Sequence, residues 1–184
     1  AGLIPERAWK RRRFGETWRE GDTANAAIGQ GFLGVTPVQM AALCAALANG
    51  GRLYRPRLVR GWRDPGQTAF AESPNPAPVR ELNWSASTRE TVRGGMRDVV
   101  NAPTGTGRQA RLDQVVVAAK TGTAEVGRKG EGRKHVWMMA FAPFEAPRYA
   151  LAMVVEEGES GGGTVGPRIH RLLDALFSET EAEG

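Results

Sequence analysis

The chain has 184 residues, of which 41% are hydrophobic and 24% charged, and this composition predicts one globular domain, or a large part of one, rather than a disordered chain. The net charge of +5 comes largely from basic clusters at 10–13 and 128–134, which carry no interleaved aromatics and no nucleic-acid-binding motif, so no nucleic-acid partner is predicted. A single cysteine argues against an intrachain disulfide, and two histidines without ligand spacing argue against a metal site. The lack of an 18-residue apolar run argues against a membrane span.

The N-terminal segment, residues 1–24, is basic, polar and interrupted by glycines, and we expect an irregular connection there. The following stretch, 26–31, is small and glycine-rich, which is typical of places where two backbones approach closely.

The clearest local pattern predicts a helix that begins after Thr36. Thr36 is a favourable N-cap, Pro37 suits the first helical position and Gln39 completes a capping box. The Asn-Gly-Gly run at 49–51 ends this helix. One buried stripe at helical spacing is predicted to consist of Met40, Leu43, Cys44 and Leu47. Cys44 is therefore expected to be a packed, structural thiol.

The middle of the chain is predicted to be mostly surface structure followed by a second helix. Residues 52–63 look extended, and the proline-rich stretch 64–80 is predicted to be a surface excursion. A helix is expected to begin near Ser87, which forms a capping box with Glu90. Its predicted apolar stripe consists of Val92, Met96, Val99 and Val100, and Gly105-Thr106-Gly107 then breaks the chain.

The C-terminal third changes to the patterning of β-strands. Strands are predicted at 115–126, 135–144 and 149–157, with a basic loop at 127–134, and the short connections favour antiparallel neighbours. A flexible hinge is expected at 160–163, followed by a helix that covers one face of the sheet. The stripe of this helix is predicted to consist of Val165, Ile169, Leu172, Leu173 and Leu176. The fold class is therefore predicted to be α+β.

The tetrad Lys120-Thr121-Gly122-Thr123 is the main candidate site. It offers a cation, two hydroxyls and bare backbone, a set that suits an anionic, amide-containing substrate lying along a strand edge. Because alternate side chains of a strand share a face, both threonine hydroxyls are expected on the same side. The alternatives are a surface lysine, ordinary β-branched strand formers and a bulge glycine.

The surrounding stretches carry a resemblance to a known family. In chain order they are GDTANAAIGQGFLGVTPVQMAALCAALANGG, GGMRDVVNAPTGTG, KTGTAEV, HVWMMAFAPF and YALAMVVEEGESGGGTVG. Together they resemble the C-terminal part of the transpeptidase domain of class B penicillin-binding proteins, closest to the elongation-specific penicillin-binding protein 2 group. The resemblance implies part of the penicillin-binding-protein/beta-lactamase-like transpeptidase fold: an antiparallel sheet, three of whose strands lie in this chain, with helices on both faces and the KTG strand beside the cleft.

Two signatures of this family have no counterpart in the chain. No Ser-x-x-Lys occurs, and the one Ser-x-Asn, at 73–75, lies in the proline-rich excursion after the IGQG segment, so we interpret it as chance. The resemblance therefore implies that residues 1–184 are the C-terminal portion of a single transpeptidase domain whose nucleophile lies upstream. We expect the chain by itself to be inactive.

The resemblance also implies a role for each candidate residue. Lys120 would be catalytic, placing positive charge beside the serine of the missing Ser-x-Asn motif. The hydroxyls of Thr121 and Thr123 would bind the terminal carboxylate of the substrate, Gly122 would leave room for its backbone, and the Thr123 N–H would be catalytic as half of the oxyanion hole. Gln30 would border the cleft and bind substrate, although a plain hydrogen-bonding loop residue is the alternative.

The implied activity is that of a serine-type peptidoglycan D,D-transpeptidase of cell-wall elongation. It would transfer acyl groups from D-Ala-D-Ala stem peptides, would be acylated by beta-lactams only with the missing serine, and would need no metal or cofactor. The parent would be anchored in the cytoplasmic membrane, face the periplasm and partner an elongation glycosyltransferase. A penicillin-sensing module and a class A beta-lactamase are the alternatives; the IGQG and GTVG segments favour the transpeptidase over the sensor.

Overall fold

The computed structural model describes residues 2–127 and 132–182, and its N-terminal part is helical rather than irregular. Helix α1 spans Arg7–Phe14 and α2 spans Glu20–Ala27, so the expectation for residues 1–24 was wrong. The rings of Trp9, Phe14 and Phe32 cluster with centroids 5.2–5.5 Å apart. Beside them the buried Lys10 donates a 2.7 Å hydrogen bond to Asp22. These tertiary contacts stabilise two short helices that local patterning does not favour.

Helix α3, Pro37–Ala48, begins where the capping box predicted. The Gln39 N–H donates to Thr36 Oγ1 at 3.2 Å, and the Thr36 N–H donates to Gln39 Oε1 at 3.0 Å. The predicted stripe was only partly right, because Leu43 is 36% exposed. Cys44 is buried as predicted, and Ala46 and Ala48 are buried as well, since the helix packs its small residues against the sheet.

The segment after α3 holds two minimal antiparallel ladders. Strand β1 (Arg52–Leu53) pairs with β4 (Arg80–Glu81), and β2 (Gly61–Trp62) pairs with β3 (Ala71–Glu72). The extended structure expected over 52–63 is thus confined to two short pieces.

Helix α4 spans Ala86–Asn101, and its N-cap is Ser85 rather than Ser87. The Thr88 N–H donates to Ser85 Oγ at 3.0 Å. Met96 and Val100 of the predicted stripe are buried, whereas Val92 is 40% exposed. A single 3₁₀ turn, Arg108–Ala110, follows the predicted glycine break.

The main sheet has the three predicted strands in the order β5–β6–β7, all antiparallel. They span Ala118–Glu125, Lys134–Ala142 and Tyr149–Glu156, so β5 begins three residues later and β6 ends two residues earlier than expected. Of the predicted loop 127–134, residues 128–131 lie outside the described residues.

The segment 160–163 is a packed turn, and the expected flexible hinge was wrong. Gly161–Val165 form a π-helical turn that leads into α5, Gly166–Ala182. Gly161 is buried, and the Gly163 N–H donates to Ser160 Oγ at 3.0 Å. A Cβ at Gly162 would collide with the backbone carbonyl of Thr106, so this glycine permits close approach rather than motion.

Buried side chains form two clusters on opposite faces of the sheet. Ile169, Leu173 and Phe177 of α5 pack on the first face with Val136 and Met138, whereas the predicted Leu172 is 41% exposed. The second cluster lies under α3 and α4 and consists of Cys44, Ala48, Met96, Ala118 and Phe141. The predicted α+β class, with helices on both faces of an antiparallel sheet, is confirmed.

Candidate active site

The tetrad 120–123 lies on β5, whose outer edge pairs with no strand among the described residues. The Val126 N–H donates to the Arg133 carbonyl at 3.0 Å. This bond shows which residues of β5 point their backbone groups toward β6. Because ladder bonds in an antiparallel pair alternate by residue, Gly122 turns its N–H and C=O toward β6. Thr121 and Thr123 therefore turn both backbone groups toward the free edge.

The side chains of the tetrad divide between the two faces of the sheet. Lys120 lies opposite Met139 and Thr121 opposite Met138 in the register, and successive residues point to opposite faces. Thr121 and Thr123 consequently share one face, as predicted. The Lys120 side chain is exposed, and its Nζ donates a 2.6 Å hydrogen bond to the outward carbonyl of Thr121.

A cavity of about 470 Å³ lies against the threonine side of β5. Thr106 crosses to it from the glycine break, and the hydroxyls of Thr106 and Thr121 are 3.0 Å apart. The full lining is Thr106, Thr121, Gly122, Thr123, Ser160, Gly161 and Gly162. Sequence reasoning missed Thr106 and the 160–162 turn as parts of the site, although it had noted a chain break at 105–107 and a hinge at 160–163.

The 160–162 turn is held very close to the strand backbone. A Cβ at Gly161 would lie 2.5 Å from the carbonyl oxygen of Trp137 and 3.0 Å from that of Gly122. Gly122 itself is less restricted, since a Cβ there would meet only Trp137 Cβ at an ordinary 3.5 Å. Its described neighbours thus do not require a glycine, and the substrate-based reason for it stays a prediction.

A second, more apolar cavity of about 610 Å³ extends along the segment between α2 and α3 and reaches β5. All four tetrad residues line it together with Trp137 and Met139 of β6 and residues from the 28–35 segment. Thr121, Gly122 and Thr123 therefore line both cavities, which meet at the free edge of β5.

Gln30 reaches the same edge from the segment between α2 and α3. Its Nε2 donates a 2.9 Å hydrogen bond to the outward carbonyl of Thr123. The structure thus brings all five predicted site residues together: the four of the tetrad and Gln30.

The electrostatics of the described residues are simple. Among them, no group of three or more His, Cys, Asp or Glu side chains is arranged to hold a metal ion. Away from the cleft, the hydrogen bond from Lys10 lowers the pKa of Asp22, and burial raises the pKa of Cys44 to about 12. Nor does any helix in the described part combine the length and apolarity needed to cross a bilayer. Chemically, the cleft offers a cation, hydroxyls and outward backbone groups.

Comparison with known proteins places this arrangement in a family. The model of the penicillin binding protein transpeptidase domain matches residues 2–174. The peptidoglycan D,D-transpeptidase MrdA of Salmonella typhimurium is 35% identical over 189 residues, which cover 96% of this chain and 30% of that protein. Stage V sporulation protein D of Bacillus subtilis is 33% identical over 150 residues, covering 78% of this chain and 23% of that protein.

Solved structures agree with the sequence comparisons. The crystal structure of Pseudomonas aeruginosa PBP2 in complex with WCK 5153 superposes with a TM-score of 0.78 at 34% identity, over 95% of this chain and 38% of that one. Helicobacter pylori PBP2, solved as a complex with MreC, gives a TM-score of 0.75 at 34% identity, over 96% and 31%. The chain spans about 30% of the length of the MrdA relatives it matches. It belongs to the penicillin-binding protein transpeptidase family.

Proposed function

We propose that these residues form the C-terminal portion of the transpeptidase domain of a peptidoglycan D,D-transpeptidase of cell-wall elongation. The observation that carries the proposal is the free edge of β5, where the backbone groups of Thr121 and Thr123 face outward beside a cavity lined by hydroxyl residues and glycines. An extended peptide can add to such an edge as a further strand.

The reaction is a two-step acyl transfer. A serine Oγ from an upstream Ser-x-x-Lys motif attacks the penultimate D-alanine carbonyl, and the terminal D-alanine leaves as an amine after it gains a proton. The amine of a neighbouring stem peptide then attacks the resulting ester, which forms the cross-link and regenerates the serine. A beta-lactam imitates the first substrate and remains as an acyl-enzyme.

Three of the four tetrad residues have a direct place in these steps. The Thr123 N–H serves as one of two oxyanion donors, and loss of one such donor typically costs on the order of 3 kcal/mol in the transition state. The hydroxyls of Thr121 and Thr123 bind the substrate carboxylate. Lys120 supplies positive charge and assists proton movement to the leaving group.

The apolar cavity beside Lys120 is the proposed docking place of the upstream segment that bears the serine and the Ser-x-Asn motif. Its lining by Trp137, Met139 and the 28–35 segment offers apolar surface on the lysine side of the strand. The whole protein is proposed to be anchored in the cytoplasmic membrane, with this domain in the periplasm and an elongation glycosyltransferase as partner.

A fluorescent penicillin tests the proposal. We expect it to label the full-length protein, which includes the Ser-x-x-Lys motif, and to leave residues 1–184 alone unlabelled. Labelling of the shorter chain would show that the nucleophile has been placed wrongly. Turnover of a thioester substrate with an acceptor amine separates a transpeptidase from a penicillin sensor, and release of hydrolysed penicillin at a high rate would identify a beta-lactamase.

A further inference from the structure

At the free edge of β5, the outward carbonyls of the tetrad already accept hydrogen bonds from side chains of this chain. Antiparallel or parallel addition of a peptide to this edge uses the outward N–H and C=O groups of Thr121 and Thr123. The Thr123 carbonyl accepts instead from Gln30 Nε2, at 2.9 Å. The Thr121 carbonyl accepts from Lys120 Nζ, at 2.6 Å. Both outward carbonyls of the tetrad are therefore satisfied by side chains of the chain itself.

The two occupants differ in chemistry. The carboxamide of Gln30 presents the same kind of N–H donor as a peptide bond, so it imitates the group that a bound substrate would bring to Thr123. We propose that Gln30 acts as an internal stand-in for the substrate amide: it holds the edge of β5 in a hydrogen-bonded state and competes with a peptide or an acylamino beta-lactam for the Thr123 carbonyl. This inference rests on the proposed function and deepens it.

The local backbone suits such an exchange. Gln30 is flanked by Gly29 and Gly31, whose φ angles of 76° and 74° lie in the left-handed region that favours glycine. The Gln30 N–H donates to the Asn25 carbonyl at 2.8 Å, which anchors its backbone to the end of α2. The side chain is only half-buried, so it can rotate away from Thr123 while its backbone stays in place.

Competition of this kind has a modest and measurable size. A neutral hydrogen bond in a protein has a net effect that corresponds to about a two- to tenfold change in an equilibrium constant. Removal of the Gln30 donor should therefore raise the second-order rate constant of acylation by about two- to tenfold. The increase should occur only for reagents that bring their own N–H to the Thr123 carbonyl.

The test uses the full-length protein and two beta-lactams that share one ring system. Benzylpenicillin carries an acylamino N–H, and penicillanic acid has hydrogen in its place. The variants are Gln30→Ala and Gln30→Met, the latter retaining length and bulk without a donor. The matched control is Gln67→Ala, at an exposed position in the proline-rich excursion.

We expect both Gln30 variants to raise the benzylpenicillin rate constant and to leave that of penicillanic acid within about twofold, the smallest change a hydrogen bond of this kind produces. A decreased benzylpenicillin rate constant would mean that Gln30 contributes to binding rather than competing, and would overturn the inference. So would equal changes for both reagents, or an increase in Gln30→Ala but not in Gln30→Met. If neither reagent acylates the wild type or the control, the proposed function fails and this inference fails with it.

Discussion

Gly161 is a position where a single methyl group should disturb the cleft. A Cβ there would lie 2.5 Å from the Trp137 carbonyl oxygen, 3.0 Å from the Gly122 oxygen and 3.1 Å from the Gly122 nitrogen. All three are backbone atoms of the sheet and cannot swing aside as a side chain can. In Gly161→Ala the 160–163 turn must therefore move away from β5, or the two strands must shift.

Overpacking of a buried site costs about 1–3 kcal/mol. For a chain of this size each kcal/mol lowers the melting temperature by about 2–4 °C, so we expect a drop of about 2–12 °C. Gly95→Ala provides the matched control, since it adds the same methyl group at an exposed position in the middle of α4, where the added Cβ would contact no neighbouring residue within 4 Å. There alanine should stabilise the helix by about 0.5–1 kcal/mol.

The free energy of unfolding of both variants can be measured by urea denaturation, with circular dichroism of the sheet and helices as the signal. The expected changes have opposite signs: loss of stability for Gly161→Ala and a gain for Gly95→Ala. Gly161→Ala as stable as the wild type would contradict the close packing of the turn against β5.

The remaining predictions concern one cleft residue, one ion-paired carboxylate and one buried thiol. Gly122→Ala should change the free energy of unfolding by less than about 0.5 kcal/mol, because the added Cβ makes ordinary contact with Trp137. The same substitution should slow penicillin acylation of the full-length protein. Slower acylation accompanied by a clear loss of stability would refute this prediction. Asp22 has a lowered pKa, chiefly through its hydrogen bond from Lys10. Its contribution to stability is therefore present above the pKa of the unfolded state, about 4, and is lost as the pH falls below that value. The free energy of unfolding of Asp22→Asn in urea should depend less on pH between 5 and 3 than that of the wild type, and an equal pH dependence would count against the ion pair. Cys44, with its pKa raised to about 12 by burial, should react with Ellman's reagent at pH 8 only after unfolding, and fast labelling of the native protein would contradict its position.

Local sequence patterns predicted those elements whose boundaries depend on local chemistry. The capping box of Thr36 and Gln39 located α3, and the alternation of apolar residues located the three strands. The start of α4 shows where such patterns fail, since Ser85 and Ser87 are both capable N-caps. In the structure the helix starts after Ser85, and a tertiary contact holds its first turn: the Arg89 side chain donates to the Gly50 carbonyl at 2.8 Å.

The errors share one physical cause, which is dependence on distant segments. Helix α1 contributes two rings to a cluster completed by Phe32, and nothing within residues 7–14 reveals that partner. The glycines at 161–162 predict flexibility when only the local sequence is considered. In the structure their lack of a side chain allows close packing against Thr106 and the backbone of β5 and β6. The tetrad was predicted to lie along a strand edge, but which of its residues turn their backbone groups outward follows only from the hydrogen-bonding pattern between β5 and β6.

Lys120 provides the most direct test that the edge of β5 is one wall of an acyl-transfer cleft. The second-order rate constant for acylation by a fluorescent penicillin should fall by at least about 100-fold in Lys120→Met of the full-length protein, as expected for loss of a group that moves protons and binds a carboxylate. Arg63→Met, which removes one positive charge at an exposed position just before the proline-rich excursion, should retain the wild-type rate. An unchanged rate in Lys120→Met, with the protein folded, would contradict the account.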